Sequence, residues 1–198
     1  MEEFIAKLTL DFIEKDRWKF ITDGLQITLL VTILAVFFGI LIGMIVAISR
    51  CAHDQMDPTR IKGFPKFILK LINTVVKLYV TVIRGTPVLV QLLIMYFIIM
   101  VSNDSKITVA VVTFSINSGA YVSEIFRGGI MALDKGQMEA GRSLGLNYIQ
   151  TMIYIILPQA FKSVQPALCN ELIALLKETS ICGYIGLNEL TRGGDIIR

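Results

Sequence analysis

EAGRSLGLNYIQTMIYIILP, residues 139–158, is the stretch on which the reading of this chain turns. From Ser143 to Phe161 nothing carries a charge, a run long enough to suggest a membrane crossing. Yet the stretch opens on Glu139-Ala140-Gly141, holds Asn147 and Gln150 in its middle and closes on Leu157-Pro158. Whether it crosses a membrane or lies beside one is decided by the sequence around it.

Composition sets the class. The chain has 198 residues, 54% hydrophobic and only 18% charged, with mean hydropathy +0.66. A soluble domain carries about a quarter charged residues. The apolar residues also come in blocks. Residues 24–49 are free of charge between Asp23 and Arg50, more than the roughly 20 residues that cross about 30 Å of hydrocarbon. Residues 85–103 and 107–123 are two further charge-free runs. The fold class is therefore all-α, a polytopic helical membrane protein.

Charge placement orients it. Ahead of the first run Glu2, Glu3, Asp11, Glu14, Asp16 and Asp23 outnumber Lys7, Lys15, Arg17 and Lys19. After it Arg50, Arg60, Lys62, Lys66 and Lys70 face only Asp54 and Asp57. The positive-inside tendency puts the N-terminus outside and the 50–70 loop in the cytoplasm. These basic residues adjoin a span and lack interleaved stacking aromatics, so nucleic acid is not a partner. No cleavable signal peptide is expected, because acids stand where a basic leader region belongs. Residues 2–20 read as an external amphipathic helix, with Trp18 and Phe20 as interface anchors. Cys51, Cys169 and Cys182 lack metal or redox spacing, and His53 sits alone in a polar loop, so no metal site or catalytic residue is expected.

The spans follow. Span 1 covers 24–48 and includes Gly39 and Gly43, either a close-approach pair or a lipid-facing one. Residues 64–83 alternate Lys66, Lys70 and Lys77 with apolar positions and read as an amphipathic helix on the cytoplasmic face. Arg84-Gly85-Thr86-Pro87 breaks it, and Pro87 suits the first turn of span 2, 87–102, because its missing N–H would be unpaired there. Span 3, 107–129, returns inward. Asn117, Tyr121 and Glu124 share one of its faces. That face is either a substrate path or an interhelical contact with a Glu124–Arg127 pair. Three crossings from an outside start make 134–158 cytoplasmic, and span 4 follows at 162–181 with Asn170 and Glu171 near its middle. Glu171 and Glu178 belong to a substrate site or to a buried ion-pair network with Lys177. Residues 182–198 are an external segment, and 1–198 form one transmembrane domain.

At this point the residues resemble a family. Glu139-Ala140-Gly141, then Gly145, Ile155 and Leu157-Pro158, are similar to the EAA signature of permease subunits of ABC importers, with Gly141 where alanine is commonest. Arg84-Gly85-Thr86-Pro87 with Gln91 resembles the branch that takes up polar amino acids of the histidine, arginine and glutamine type. So do residues 121–130 (YVSEIFRGGI), Gly136-Gln137, Asn170-Glu171 and residues 175–180 (LLKETS). The likeness runs from about Gly24 to the end. It implies the type I importer fold, usually with five spans. The expectation is that a final span is absent from this chain or that one segment has been misassigned.

The resemblance also implies roles. The quoted stretch becomes a coupling helix on a cytoplasmic ATPase, with Glu139, Ala140, Gly141, Arg142, Ser143, Leu144 and Gly145 as its residues. Small Ala140 and Gly141 would let the partner approach, Gly145 would permit a bend and Pro158 would stop a helix running back. Leu144, Leu146, Ile149, Ile153 and Ile156 would pack against the rest of the permease. The substrate path would take in Gln91, Asn117, Tyr121, Glu124, Asn170 and Glu171, whose acids favour a basic L-amino acid. No G-x-x-x-x-G-K-[ST] loop occurs in the sequence. ATP and Mg2+ are thus expected on a partner ATPase, with no cofactor in this chain and no enzyme activity of its own. The other implied partners are a second permease subunit, homodimeric or heterodimeric, an external amino-acid-binding protein and the bilayer of a prokaryotic inner membrane. The rival readings are an ion-gradient-driven transporter or channel, a membrane scaffold and an ABC exporter.

Overall fold

The computed structural model describes residues 16–55, 64–134 and 136–197, with positions 3 and 9; side chains of 52–55 and 64–66 are outside that description. Most of the helix expected over 2–20, the loop residues Asp57, Arg60 and Lys62, and the side chains of His53, Asp54 and Lys66 lie outside the described residues. Every regular element among the described residues is helical. We number them α1 (Trp18–Gln55), α2 (Phe64–Gly85), α3 (Val88–Ile94), α4 (Lys106–Met131), α5 (Gly136–Ser143), α6 (Tyr148–Thr151), α7 (Leu157–Glu178) and α8 (Leu190–Ile197). Wide π-turns extend α3 (Met95–Ile99) and join α6 to α7 (Met152–Ile156), and a 3-10 segment, Thr179–Ile185, ends α7.

Among the described residues two helices, Trp18–Cys51 and Lys106–Met131, are long and apolar enough to cross a membrane, and Phe67–Gly85 with Val88–Ile99 makes a third if counted as one broken span. These contain expected spans 1, 3 and most of 2. Helix α7 has the length, but Lys162, Glu171, Lys177 and Glu178 interrupt its apolar character. The chain forms two compact units, Met1–Phe37 with Pro87–Ser115 and Leu172–Arg198, and Phe38–Thr86 with Ile116–Glu171.

In the first unit α1 buries Thr28, Val31, Thr32 and Ala35, the i, i+3, i+4, i+7 stripe of one helix face. Leu29, Leu30, Ile33 and Phe37 on the other side stay exposed, as a lipid-facing surface would. The Thr32 hydroxyl donates to the Thr28 carbonyl at 2.7 Å, so this polar group is satisfied without water. Val31, Ala35, Leu92, Phe114, Leu175 and Cys182 form the core. The polar stretch after Ile185 contains a further helix. Buried Glu189 accepts from the backbone N–H groups of Thr191 at 2.7 Å and Arg192 at 2.9 Å, which starts α8.

The second unit packs Ala47, Val122, Phe126, Val164 and Leu168 in one cluster and Cys51, Ile130, Met152, Ile156 and Ala160 in another. Cys51 and Cys182 are buried and Cys169 is exposed, and none of the three is in a disulfide. The open question over Gly39 and Gly43 is resolved in favour of close approach. A Cβ on Gly39 would sit 2.9 Å from the Ser118 side chain, and one on Gly43 would sit 2.5 Å from Val122 Cγ1 and 2.9 Å from the Ser123 backbone nitrogen. Since the backbone cannot yield, Gly43→Ala is expected to cost about 1–3 kcal/mol. Gly128→Ala, on the same α4 but with nothing within 4 Å of the new carbon, should gain up to about 1 kcal/mol from helix propensity. Melting of the two variants in detergent checks both signs; a neutral Gly43→Ala would mean that α1 and α4 are not held this closely.

Two proline readings change. Pro87 is the extended residue just before α3 rather than its first helical residue, with φ −61° and ψ 135°. Its carbonyl still starts the helix by accepting from Val90 and Gln91 at 3.0 and 3.2 Å. Pro158 does not stop the helix. The N–H of Leu157 bonds the carbonyl of Met152, five residues back, so the turn before the ring is widened. This relieves the clash that a proline makes with the preceding turn, and α7 continues past Pro158 and Pro166 to Glu178.

Candidate functional site

Two places in the second unit gather the residues singled out above. The first is the helix-turn-helix made by α5 and α6. Asp134 opens it, its Oδ1 accepting from the Gly136 N–H at 2.9 Å. Glu139 lies in the first turn of α5 and Arg142 in the last, each where the helix dipole favours its charge. Gly145 closes the helix at φ +82°, with Gly145 N–H to the Arg142 carbonyl at 3.0 Å and Leu146 N–H to the Gly141 carbonyl at 3.1 Å. This is the paired bonding that ends helices at a left-handed residue, a conformation glycine adopts freely.

The next helix begins two residues later. The Asn147 side chain accepts from Gln150 N–H while the Gln150 side chain accepts from Asn147 N–H, both at 2.9 Å. The two polar residues that looked out of place in an apolar run are thus a reciprocal cap. The charge-free run 143–161 is broken at Gly145 and is not one spanning helix.

Glu139, Ala140, Arg142, Ser143 and Leu144 are exposed on this element, Leu144 at 78%. Gly141 is not. It is buried, and a Cβ there would meet Thr151 Cγ2 at 2.4 Å, so its smallness serves packing of α5 on α6 within the chain rather than approach of a partner. The apolar residues sort differently from expectation as well. Ile156 is buried with Thr151 and Met152, whereas Leu144, Ile149 and Ile153 are exposed. The i+3, i+4 stripe that packs inward starts at Thr151 and Met152. A cavity of about 490 Å³ lies beside α5, lined in part by Cys51, Met131, Asp134, Glu139, Arg142 and Tyr148. The Tyr148 hydroxyl is buried without a partner, and burial pushes the phenol up to about 12.

The second place is the polar face of α4. Asn117 is buried at 4% exposure, and Tyr121 one turn on is 37% exposed. Glu124 is committed to an ion-pair triad. Its Oε1 takes Arg50 of α1, and its Oε2 takes Arg127 Nε and Nη2 at 3.0 and 2.9 Å. The expected i, i+3 pair is present, with Arg50 as an unexpected third member. Glu171 of α7 accepts from the buried Ser118 hydroxyl at 2.9 Å. Asn170 beside it is exposed. Gln91 is half-buried in α3 of the first unit.

Three participants escaped the sequence reading. Arg84 lays its guanidinium over the Tyr121 ring, 5.1 Å from the centroid; it stood in view inside the Arg84-Gly85-Thr86-Pro87 motif but had no partner in the sequence. Tyr79 donates to the Ile116 carbonyl at 2.6 Å, and Ser118 was an unmarked neighbour of Asn117. Only contacts between helices reveal these two.

Comparison with known proteins gives the arrangement a context. Residues 39–198 match the family model described as binding-protein-dependent transport system inner membrane component. The chain is 40% identical over 176 residues to the arginine transport system permease protein ArtQ of Bacillus subtilis, covering 87% of this chain and 74% of that protein. It is 38% identical over 179 residues to the glutamine transport system permease protein GlnP of Escherichia coli, covering 88% and 75%. A crystal structure of an amino acid ABC transporter with histidines superposes with TM-score 0.75 at 44% identity, covering 90% of this chain and 78% of that one. The inward-facing MetNI methionine ABC transporter superposes with TM-score 0.71 at 22% identity over 87% and 77%, a likeness of fold.

Proposed function

Because the chain belongs to the family of binding-protein-dependent transport system inner membrane components, we propose that it is the permease subunit of an ATP-driven importer of polar amino acids. The observation that carries this is the α5–α6 element. It is a short, capped helix pair that follows a spanning helix, exposes Glu139, Arg142 and Leu144 and holds the stretch that resembles the EAA signature. An ion-gradient transporter or a scaffold has no ATPase to grip, and an exporter is disfavoured because the matched family is binding-protein-dependent.

In this reading the relatives' arginine and glutamine systems set the substrate class, and Glu171 biases it towards basic amino acids. An external binding protein delivers the substrate. A partner ATPase holds ATP and Mg2+, closes on them and moves α5; the spans then alternate access between the two sides. A second permease subunit completes the path. The N-terminus lies outside and the α5–α6 element inside. The Glu139–Gly145 segment serves the ATPase. Gln91, Asn117, Tyr121, Asn170 and Glu171 serve the path, and Glu124 acts there as an anchor for Arg50 and Arg127.

Glu171→Gln tests the substrate half. The variant keeps the shape and an acceptor for Ser118 but removes the charge, and charge-assisted bonds contribute about 1.5–3 kcal/mol. Uptake of a basic amino acid by the reconstituted complex is expected to fall about 10- to 100-fold in apparent affinity. An unchanged response to arginine, lysine and histidine would take Glu171 out of the site.

A further inference from the structure

We propose that Arg84 binds the α-carboxylate of the transported amino acid, opposite a cation-binding pole at Glu171. This rests on the importer reading and adds a residue to its path. Arg84 ends α2, and the Tyr79 hydroxyl bond to the Ile116 carbonyl ties α2 to α4 five residues earlier, at 2.6 Å. The guanidinium therefore reaches α4 at a fixed place, over Tyr121 at 5.1 Å. Ser118, which holds Glu171 at 2.9 Å, stands three residues before Tyr121. Positions three apart on a helix are neighbours, with Cβ atoms roughly 5–6 Å apart. One face of α4 thus presents a carboxylate and, a turn away, a guanidinium.

The charges are left over in a complementary way. Among the described residues Arg84 has the Tyr121 ring and no carboxylate within ion-pair distance, and Glu171 has Ser118 and no cation. The nearby acid on α4, Glu124, is already bound by Arg50 and Arg127. A lone cation and a lone anion, one helical turn apart, match the two ends of an amino acid, whose carboxylate and side-chain cation lie a similar distance apart. Stacking suits the role. A guanidinium held over an aromatic face by a cation–π contact makes no hydrogen bond there, which leaves its N–H groups for the fork that meets a carboxylate through two parallel bonds. Space is present too. A side chain at Gly85 would meet nothing within 4 Å, and Arg84 itself is exposed.

The test is thermal stabilisation of the purified permease–ATPase complex, without binding protein, by L-arginine, L-lysine and the α-carboxamide of each. In the wild type the carboxylates are expected to bind about 10-fold or more tightly than the amides, the worth of a charge-assisted bond. Arg84→Gln should bring carboxylate and amide to equal, amide-like affinity, and Arg84→Lys should keep part of the preference. Glu171→Gln should weaken acid and amide alike. A wild-type preference for the carboxylate that survives in Arg84→Gln overturns the proposal and leaves the importer reading standing. So does equal weakening of acid and amide in a folded Arg84→Gln, which would mark a structural role. If no amino acid stabilises the wild type and no ATPase co-purifies, both fail together.

Discussion

Glu124→Leu is expected to destabilise the chain by about 3 kcal/mol, because removing one member of a partly buried ion-pair group strands the others in a low dielectric. Arg50 and Arg127 both bond this carboxylate, and their side chains are 17% and 28% exposed. The loss should appear as a lower melting temperature in detergent before any effect on substrate is measured. Replacing Arg50 and Arg127 by apolar residues in the same chain should recover much of it, since an apolar trio of similar volume is tolerated better than an unpaired charge. The cycle between single and combined variants measures the coupling. Should Glu124→Leu melt like the wild type while losing substrate response, Glu124 belongs to the path and the triad carries no weight.

Glu139→Lys should separate the permease from its ATPase. The residue is exposed in the first turn of α5, where a negative charge is favoured by the helix dipole and a positive one is not. Reversal therefore changes two interactions at once, one inside the helix and one across the contact. Like-charge juxtaposition at an interface costs several kcal/mol, and a loss of about 3 kcal/mol corresponds to roughly 100-fold weaker association. Co-purification from membranes is the measurement. Recovery of the intact complex at wild-type yield would place the grip elsewhere, and Leu144, the most exposed apolar residue of the element, would be tested next.

Much of this was legible because local chemistry carries it. The charge-free runs fixed α1 and α4, whereas the spacing of Gly39 and Gly43 allowed a close approach or a lipid-facing pair, and only the structure decides for the approach to α4. Asn147 and Gln150 stood at capping-box spacing and could have been read as a helix start rather than as oddities. Pro158 misled, because the rule against proline inside helices assumes four-residue bonding, and a single widened turn evades it. Gly141 misled for another reason: a small residue in an interaction motif says that something comes close, not which side it comes from. The polar contacts around α4 were least legible. Arg50, Ser118 and Arg84 acquire their meaning only from residues on other helices, at sequence separations of 74, 53 and 37 positions from Glu124, Glu171 and Tyr121.

The thiol inventory has a practical consequence. Cys51 and Cys182 are 2% and 0% accessible, whereas Cys169 is open and two positions from Glu171. The unaltered chain therefore comes with one address for a spin probe or fluorophore, a vantage point beside the acid. A label placed there would report on the surroundings of Glu171 without any engineered cysteine, and an inter-label distance from pulsed measurement would distinguish a homodimeric pair from a heterodimeric one.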